Sequence, residues 1–316
     1  MSGRLSCVIA SWTGRPLASP ATTIQSRSRP TGRVGIPKSL ADQRFKTLAR
    51  WPIGRYREGL AGKPFLRSGR RAYDLRVTCR LFALSVDARD PAGLAGFWGG
   101  VLGWEMADDP CDGVALLPND DTGFRIRFLP TRERKTGQNP MHFDLTSASL
   151  EAQQETVARA LGLGARHIDI GQRPEEGHVV LADPEGNEFC VIEPGNKFLA
   201  DCGFIGALAC DGSQQVGYFW SQALDWPLVW DQDQETAIRS PHGGPKITWG
   251  GPPLMPKTGK NRLHFDLASA ADGDQEAEVD RLAALGATRL DIGQGQVGRV
   301  VMADPDGNAF CVLPPR

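Results

Sequence analysis

No apolar run in the 316-residue chain approaches the roughly 18 residues that a membrane-spanning helix needs. None of its seven cysteines stands in a C-x-x-C pair, and an odd count suits neither a disulfide framework nor a structural zinc site. The pattern fits a reducing compartment, and the expected location is the cytoplasm. Acidic residues are almost missing from the first 72 positions, where only Asp42 and Glu58 occur among many Arg, Ser, Pro and Gly. No period of 2 or 3.6 is sustained there, so residues 1–77 read as a basic, disordered extension. Nucleic-acid binding would call for interleaved aromatics and an ordered module to present the arginines, and neither is visible. An Arg- and Ser-rich start also mimics an organelle transit peptide. A solvated tail is the simplest reading, with neither nucleic acid nor membrane expected as a partner.

What is present beyond the tail is repetition. The string "NPMHFDLTSA" around His142 returns as "NRLHFDLASA" around His264, 122 positions later. The same offset carries Phe97 onto Phe219, Trp98 onto Trp220 and Trp104 onto Trp226. After one deletion, "ADPEGNEFCV" lies on "ADPDGNAFCV". A period this long means a duplicated domain, here residues 78–197 and 203–316, joined by a short linker.

Each copy has the same element order. A short apolar strand is followed by a helix in which Leu94, Phe97, Trp98, Val101 and Leu102 share one face, as do Val216, Phe219, Trp220, Ala223 and Leu224. Asp90 before Pro91 is a good helix start. Further short strands lead to the His-x-Asp strand and a second helix, with Gly164 and Gly286 as C-terminal caps. Asp183-Pro184-Glu185-Gly186 has the residue order of a type I turn between two final strands. The class is α+β.

The strings "GFWGGVLGWE", "HFDL", the "LGA" helix ends and "LADPEGNEFCV" together resemble the vicinal-oxygen-chelate superfamily in its glyoxalase-like, bleomycin-resistance-like branch. The resemblance implies two βαβββ modules per domain, with a curled half-barrel sheet and helices on its convex side. It also implies a ligand site on the concave side. Relatives often pair two such domains as homodimers, so the two domains are expected to pair within this chain, as a monomer or a homodimer. Metal-dependent relatives place four ligands, typically His and Glu, on the first and last strands of the modules. By position these would be Leu81, Arg127, His142 and Cys190 in one copy, and Ile205, Thr248, His264 and Cys311 in the other. That set is short of ligands, so no divalent metal is assigned. If one bound, His142 and His264 would hold it, with Asp144 and Asp266 as additional donors.

Strand alternation turns Phe143, Leu145, Phe189 and Val191 toward the helices, and His142, Asp144 and Cys190 toward the cavity. A histidine and a carboxylate two positions apart on one strand, roughly 6.5–7 Å at the backbone, suit general acid–base work. His142, Asp144, His264 and Asp266 are therefore the candidate catalytic residues. Arg127, Lys135 and Lys257 suggest a carboxylate- or phosphate-bearing ligand. Cys190 and Cys311 face inward as candidate ligand contacts, and Trp104 and Trp226, at helix ends, as candidate cavity walls. Two functions follow. One is a lyase- or isomerase-type enzyme acting on a small carbonyl-bearing or anionic molecule. The other is a protein that binds or sequesters such a molecule without turnover.

Overall fold

A computed structural model of the chain describes residues 79–315 apart from 112, 173–175, 257–260, 270–272 and 292–297. The extension 1–77, Lys257 and Cys7 fall outside the described residues.

The first module runs β1 (Cys79–Ala88), α1 (Pro91–Leu102), β2 (Glu105–Asp109), β3 (Gly113–Leu117) and β4 (Arg125–Pro130). The second runs β5 (Met141–Leu145), α2 (Leu150–Gly162), β6 (Arg166–His167), β7 (Val179–Ala182) and β8 (Glu188–Val191). The duplicate repeats this order. Its third module holds β9 (Ile205–Cys210), α3 (Gln214–Leu224), β10 (Leu228–Gln232), β11 (Glu235–Arg239) and β12 (Lys246–Trp249). Its fourth holds β13 (Leu263–Ser269), α4 (Gln275–Ala284), β14 (Thr288–Arg289), β15 (Val300–Ala303) and β16 (Ala309–Leu313).

The helices begin and end as local chemistry dictates. The Asp90 side chain accepts from Gly93 N at the start of α1, with Pro91 in the first turn. Gly164 and Gly286, with φ of 107° and 116°, follow the ends of α2 and α4 in a backbone region that L side chains disfavour. The Asp-Pro-x-Gly turns close by Gly186 N to Asp183 O and Gly307 N to Asp304 O, each 2.9 Å. Each turn is tied to a helix. Trp98 Nε1 donates to Asp183 Oδ2 at 3.1 Å and Trp220 Nε1 to Asp304 Oδ2 at 3.2 Å. The indoles thus fill the core while their one polar atom stays satisfied.

The strands form two eight-stranded sheets, and neither sheet comes from one copy. Sheet I has the order β14-β15-β16-β13-β1-β4-β3-β2, and sheet II the order β10-β11-β12-β9-β5-β8-β7-β6. The first module of copy one therefore pairs with the last module of copy two, through antiparallel β1 and β13. The two inner modules pair through antiparallel β5 and β9. The internal pairing of the two domains takes place inside the sheets themselves. Every module presents an unpaired first strand that needs a partner, and a near-identical module from either copy can supply one. Sequence order alone does not choose between them.

Both central pairings carry a bulge at the same place, between Leu81 and Ala83 in β1 and opposite the Asp144–Leu145 step in β9. The bulge shifts side-chain parity. Leu81 and Ile205 consequently pack in the main core with the helix faces, while Ala83 and Ala207 belong to the smaller clusters on the other side of each sheet. The positions expected from first-strand alignment, Leu81 and Ile205, are therefore not cavity residues. Ser85 and Ala209, two positions beyond the alanines, lie opposite His264 and His142.

Candidate functional site

In sheet II, β5 carries His142 and Asp144 inward, and Asp144 stands in register with Cys190 of β8. Phe143, Leu145, Phe189 and Val191 lie in the core beneath the helices, as alternation requires. One ligand-capable atom from each of His142, Asp144 and Cys190 lies within 4.8 Å of the other two. His264, Asp266 and Cys311 repeat the constellation in sheet I. All six are buried.

The residues that surround the two constellations differ, because sheet pairing has exchanged their neighbours. Arg127, expected beside His142, instead reaches Asp266, with Nη1 2.6 Å from Oδ2. Its Nε and Nη2 form a two-pronged bond to Asp109 of β2, each at 2.7 Å. Ser85 Oγ donates to the same Asp266 oxygen at 2.6 Å. Burial alone would work against the charge on Arg127, but hydrogen bonds to Asp109 and the nearby Asp266 carboxylate raise its pKa further above its usual range. With 2% exposure and its donors engaged, Arg127 is a framework residue, unavailable to a ligand. His264 Nε2 lies 3.7 Å from the other Asp266 oxygen.

In sheet II the corresponding donors are missing. Thr248 occupies the position of Arg127, in register with Ala209, which in turn faces His142. Ala209 replaces Ser85. Asp144 is fully buried, and neither of its oxygens accepts a hydrogen bond from a nitrogen or hydroxyl donor; Thr248 Oγ1 is likewise buried and unbonded. His142 Nε2 is 3.3 Å from Asp144 Oδ1, close but outside hydrogen-bond alignment. Burial pushes the Cys190 thiol pKa well up, and the negative charge of Asp144, the thiol's hydrogen bond to that carboxylate and then the charge of Glu176 add to the rise.

The donor sets answer the metal question differently in the two sheets. In sheet I a guanidinium already touches Asp266, and it would repel a cation held by that carboxylate. Sheet I does not fit. In sheet II an imidazole, a thiol and a buried carboxylate converge with no guanidinium among them. That set fits a divalent ion with nitrogen, oxygen and sulfur ligands.

The remaining sequence expectations divide. Lys135 is bound to Glu188 of β8 and to Gly137 O, so its charge ties the loop before β5 to β8. Trp104 and Trp226 are not cavity walls. Trp104 lies in the core on the helix side, where its Nε1 donates to Asp120 at 3.2 Å, and Trp226 packs against that same core. Sequence reasoning missed Ser85, Asp109 and Arg299. Arg299 precedes β15 with the parity of Val301, an inward residue packed in the cluster with Cys311, so alternation could have found it. Asp109 sits on a mostly exposed strand, "EMADD", that carries no apolar alternation.

Arg299, Asp87, Leu129 and Val301 line a cavity of about 180 Å³ over His264 and Cys311. Arg299 Nε is buried without a hydrogen-bond partner. Over sheet II the linker contributes instead. Leu199 packs with Cys190, Val180 and Ile192, with Phe198 beside them. A side chain at Gly206 would come within 2.9 Å of Leu199 and 2.6 Å of Thr146, so a residue without Cβ admits the linker here. In sheet I the equivalent bulge residue is Phe82, whose own ring joins the cluster around Cys311.

Two βαβββ modules per eight-stranded sheet, with a His/Asp/Cys constellation on the inward face, define a protein of the vicinal-oxygen-chelate class. Residues 83–192 and 206–313 each match the Glyoxalase-like domain family, and the chain belongs to it. No curated protein matches the chain. Among solved structures, glyoxalase I from Zea mays is similar at 13% identity and a TM-score of 0.52, covering 75% of this chain and 92% of that one. A putative dioxygenase from Bacillus subtilis is 15% identical with a TM-score of 0.47, covering 74% and 84%. At such identities the likeness concerns the fold alone. No helix among the described residues is long and apolar enough to cross a membrane.

Proposed function

We propose that the chain binds a small organic anion over the inward face of sheet I and moves a proton on it through His264. The observation that carries this reading is that His264 and Arg299 face one cavity, with Asp266 fixed behind the imidazole by Arg127 and Ser85. Arg299 supplies the charge that would receive a carboxylate. His264, whose Nε2 lies 3.7 Å from Asp266, is the group that would exchange a proton with a carbon or oxygen of the ligand. At about 180 Å³ the cavity is smaller than the roughly 300–1,000 Å³ typical of drug-sized ligands, which favours a substrate of few heavy atoms. The reaction class is an isomerase- or lyase-type proton transfer. No metal step belongs to sheet I, whose donors do not fit one.

A second reading, binding without turnover, draws support from Arg127. Arg127 Nη1 and Ser85 Oγ both bond Asp266 Oδ2, so that oxygen is engaged within the fold and not by His264. A calorimetric screen of short carboxylates and their 2-oxo and 2-hydroxy analogues against the full chain tests both readings. Loss of the hit in Arg299→Gln supports the site, and unchanged affinity in both Arg299→Gln and His264→Ala refutes it. With a bound compound in hand, a turnover rate abolished by His264→Ala separates enzyme from sequestering protein.

A further inference from the structure

We propose that the linker is a latched strap: residues 196–201 fill the inward face of sheet II and close it to small molecules, and that face opens when Asp201 lets go of Lys246 and Arg239. The proposal concerns sheet II alone and needs no ligand, so it holds or fails apart from the reading of sheet I.

Three observations carry it. First, the strap stands in for a side chain that sheet I supplies from its own strand. Phe82 of β1 packs in the cluster with Cys311, and the Arg125 guanidinium lies 4.4 Å from its ring centre. In β9 the matching position is Gly206, and the linker brings both parts from outside. Leu199 packs in one cluster with Cys190, Val180, Ile192 and Ala207. Lys246, at the position of Arg125, has its Nζ 4.7 Å from the Phe198 ring centre.

Second, the strap is held at few points. It contributes no strand to sheet II. Asn196 Oδ1 accepts from Phe198 N at 3.1 Å and Leu199 N at 3.2 Å, which folds the strap on itself. Lys246 donates to Phe198 O and, at 2.8 Å, to Asp201 Oδ1. Arg239 donates to Asp201 Oδ2 and to Asp201 O, each at 2.6 Å. Asp201 is exposed, so salt screens this latch. Leu199 is the one buried residue of the six. Gly195, with φ of 81°, and Gly203 flank the strap, and glycine absorbs the backbone rotation that a hinge requires.

Third, the face beneath the strap holds polar groups that a hydrocarbon cover leaves unsatisfied. His178 Nδ1 and Thr248 Oγ1 are buried without a hydrogen-bond partner. His178 precedes β7 as Arg299 precedes β15, with the parity of Val180 in the cluster under Leu199. Water let in by an open strap would satisfy both groups, which offsets part of what burying Leu199 contributes. The closed state is favoured by a narrow margin, so one inward face stays accessible in sheet I and a second is held in reserve.

The test treats the full chain, in chelator, with a small neutral thiol reagent and reads Cys190 and Cys311 separately by peptide mass spectrometry. Cys311, whose cluster has no strap, is the internal reference. Asp201→Asn should label Cys190 about twofold faster and Lys246→Met about tenfold faster, with Cys311 unchanged. Raising salt from about 0.05 M to about 1 M should speed Cys190 in the wild-type chain and add little in Asp201→Asn. If Lys246→Met speeds Cys311 as well, that variant has loosened the whole fold, and the exposed substitution Asp201→Asn decides. A Cys190 rate unchanged in Asp201→Asn, Cys190 and Cys311 rising together in it, or a wild-type Cys190 rate indifferent to salt would each overturn the proposal.

Discussion

Sheets I and II are two solutions to one problem, a carboxylate buried two positions after a histidine on the strand at the middle of a curled sheet. Sheet I surrounds Asp266 with a guanidinium and a hydroxyl, and the guanidinium is balanced in turn by Asp109. Sheet II gives Asp144 an alanine and a threonine where those donors would stand. The difference reduces to Ser85 against Ala209 and Arg127 against Thr248. All four lie on strands of the opposite copy from the aspartate they face. Duplication supplied two equal frames, and substitutions in one copy's module changed the chemistry of the other copy's histidine.

The sharpest way to break the comparison is Arg127→Leu. It leaves Asp109 and Asp266 buried without their cation, which should cost about 3–5 kcal/mol in urea unfolding. A loss under about 1 kcal/mol would mean the network does not hold sheet I together. Trp98→Phe and Trp220→Phe should each cost about 1–3 kcal/mol, since Asp183 and Asp304 lose a buried donor. Near-equal values are expected because this part of the frame was copied unchanged. Thr248→Val, which removes an unbonded buried hydroxyl, should fall within about 1 kcal/mol of neutral or stabilise. Set against Arg127→Leu, it gauges how far the two positions have diverged.

The smallest effect concerns the linker over sheet II. A hydrogen bond from Lys246, with help from Arg239, holds the Asp201 carboxyl below the usual carboxylate range. A lowered folded-state pKa stabilises above the unfolded value of about 3.9 and is lost as pH falls through the folded value. Asp201 is 61% exposed, so solvent screening leaves only about 0.5 kcal/mol. The stability gap between the wild-type chain and Asp201→Asn should be present at pH 6 and closed near pH 2. A gap that persists at pH 2 would show that carboxylate charge is not its source.

Much of the frame was legible in the residues. Repetition revealed the duplication, and helical spacing placed Trp98 and Trp220 in the core. Strand alternation turned His142, Asp144 and Cys190 inward. Alignment fails at Leu81 and Ile205 because a bulge reverses parity there; "LFALSV" does not mark the extra residue, whereas in "IGALAC" it is Gly206, an in-strand glycine of the kind that accompanies bulges. Arg127 was assigned to the wrong histidine because four similar modules leave strand partnership open. Lys135 and Arg127 both read as ligand-binding charges, and both are consumed by carboxylates, Glu188 and Asp109, that lie far from them in sequence. Partnerships of that kind arise only once the sheets assemble.

That Arg127 of one copy serves Asp266 of the other is best measured by double-mutant cycles in unfolding free energy. Arg127→Leu combined with Asp266→Asn should show a coupling of at least about 1.5 kcal/mol, while Arg127→Leu with Asp144→Asn should be additive within about 0.5 kcal/mol. Coupling to Asp144 with none to Asp266 would mean each copy keeps its own sheet, and the exchanged pairing described above would be wrong.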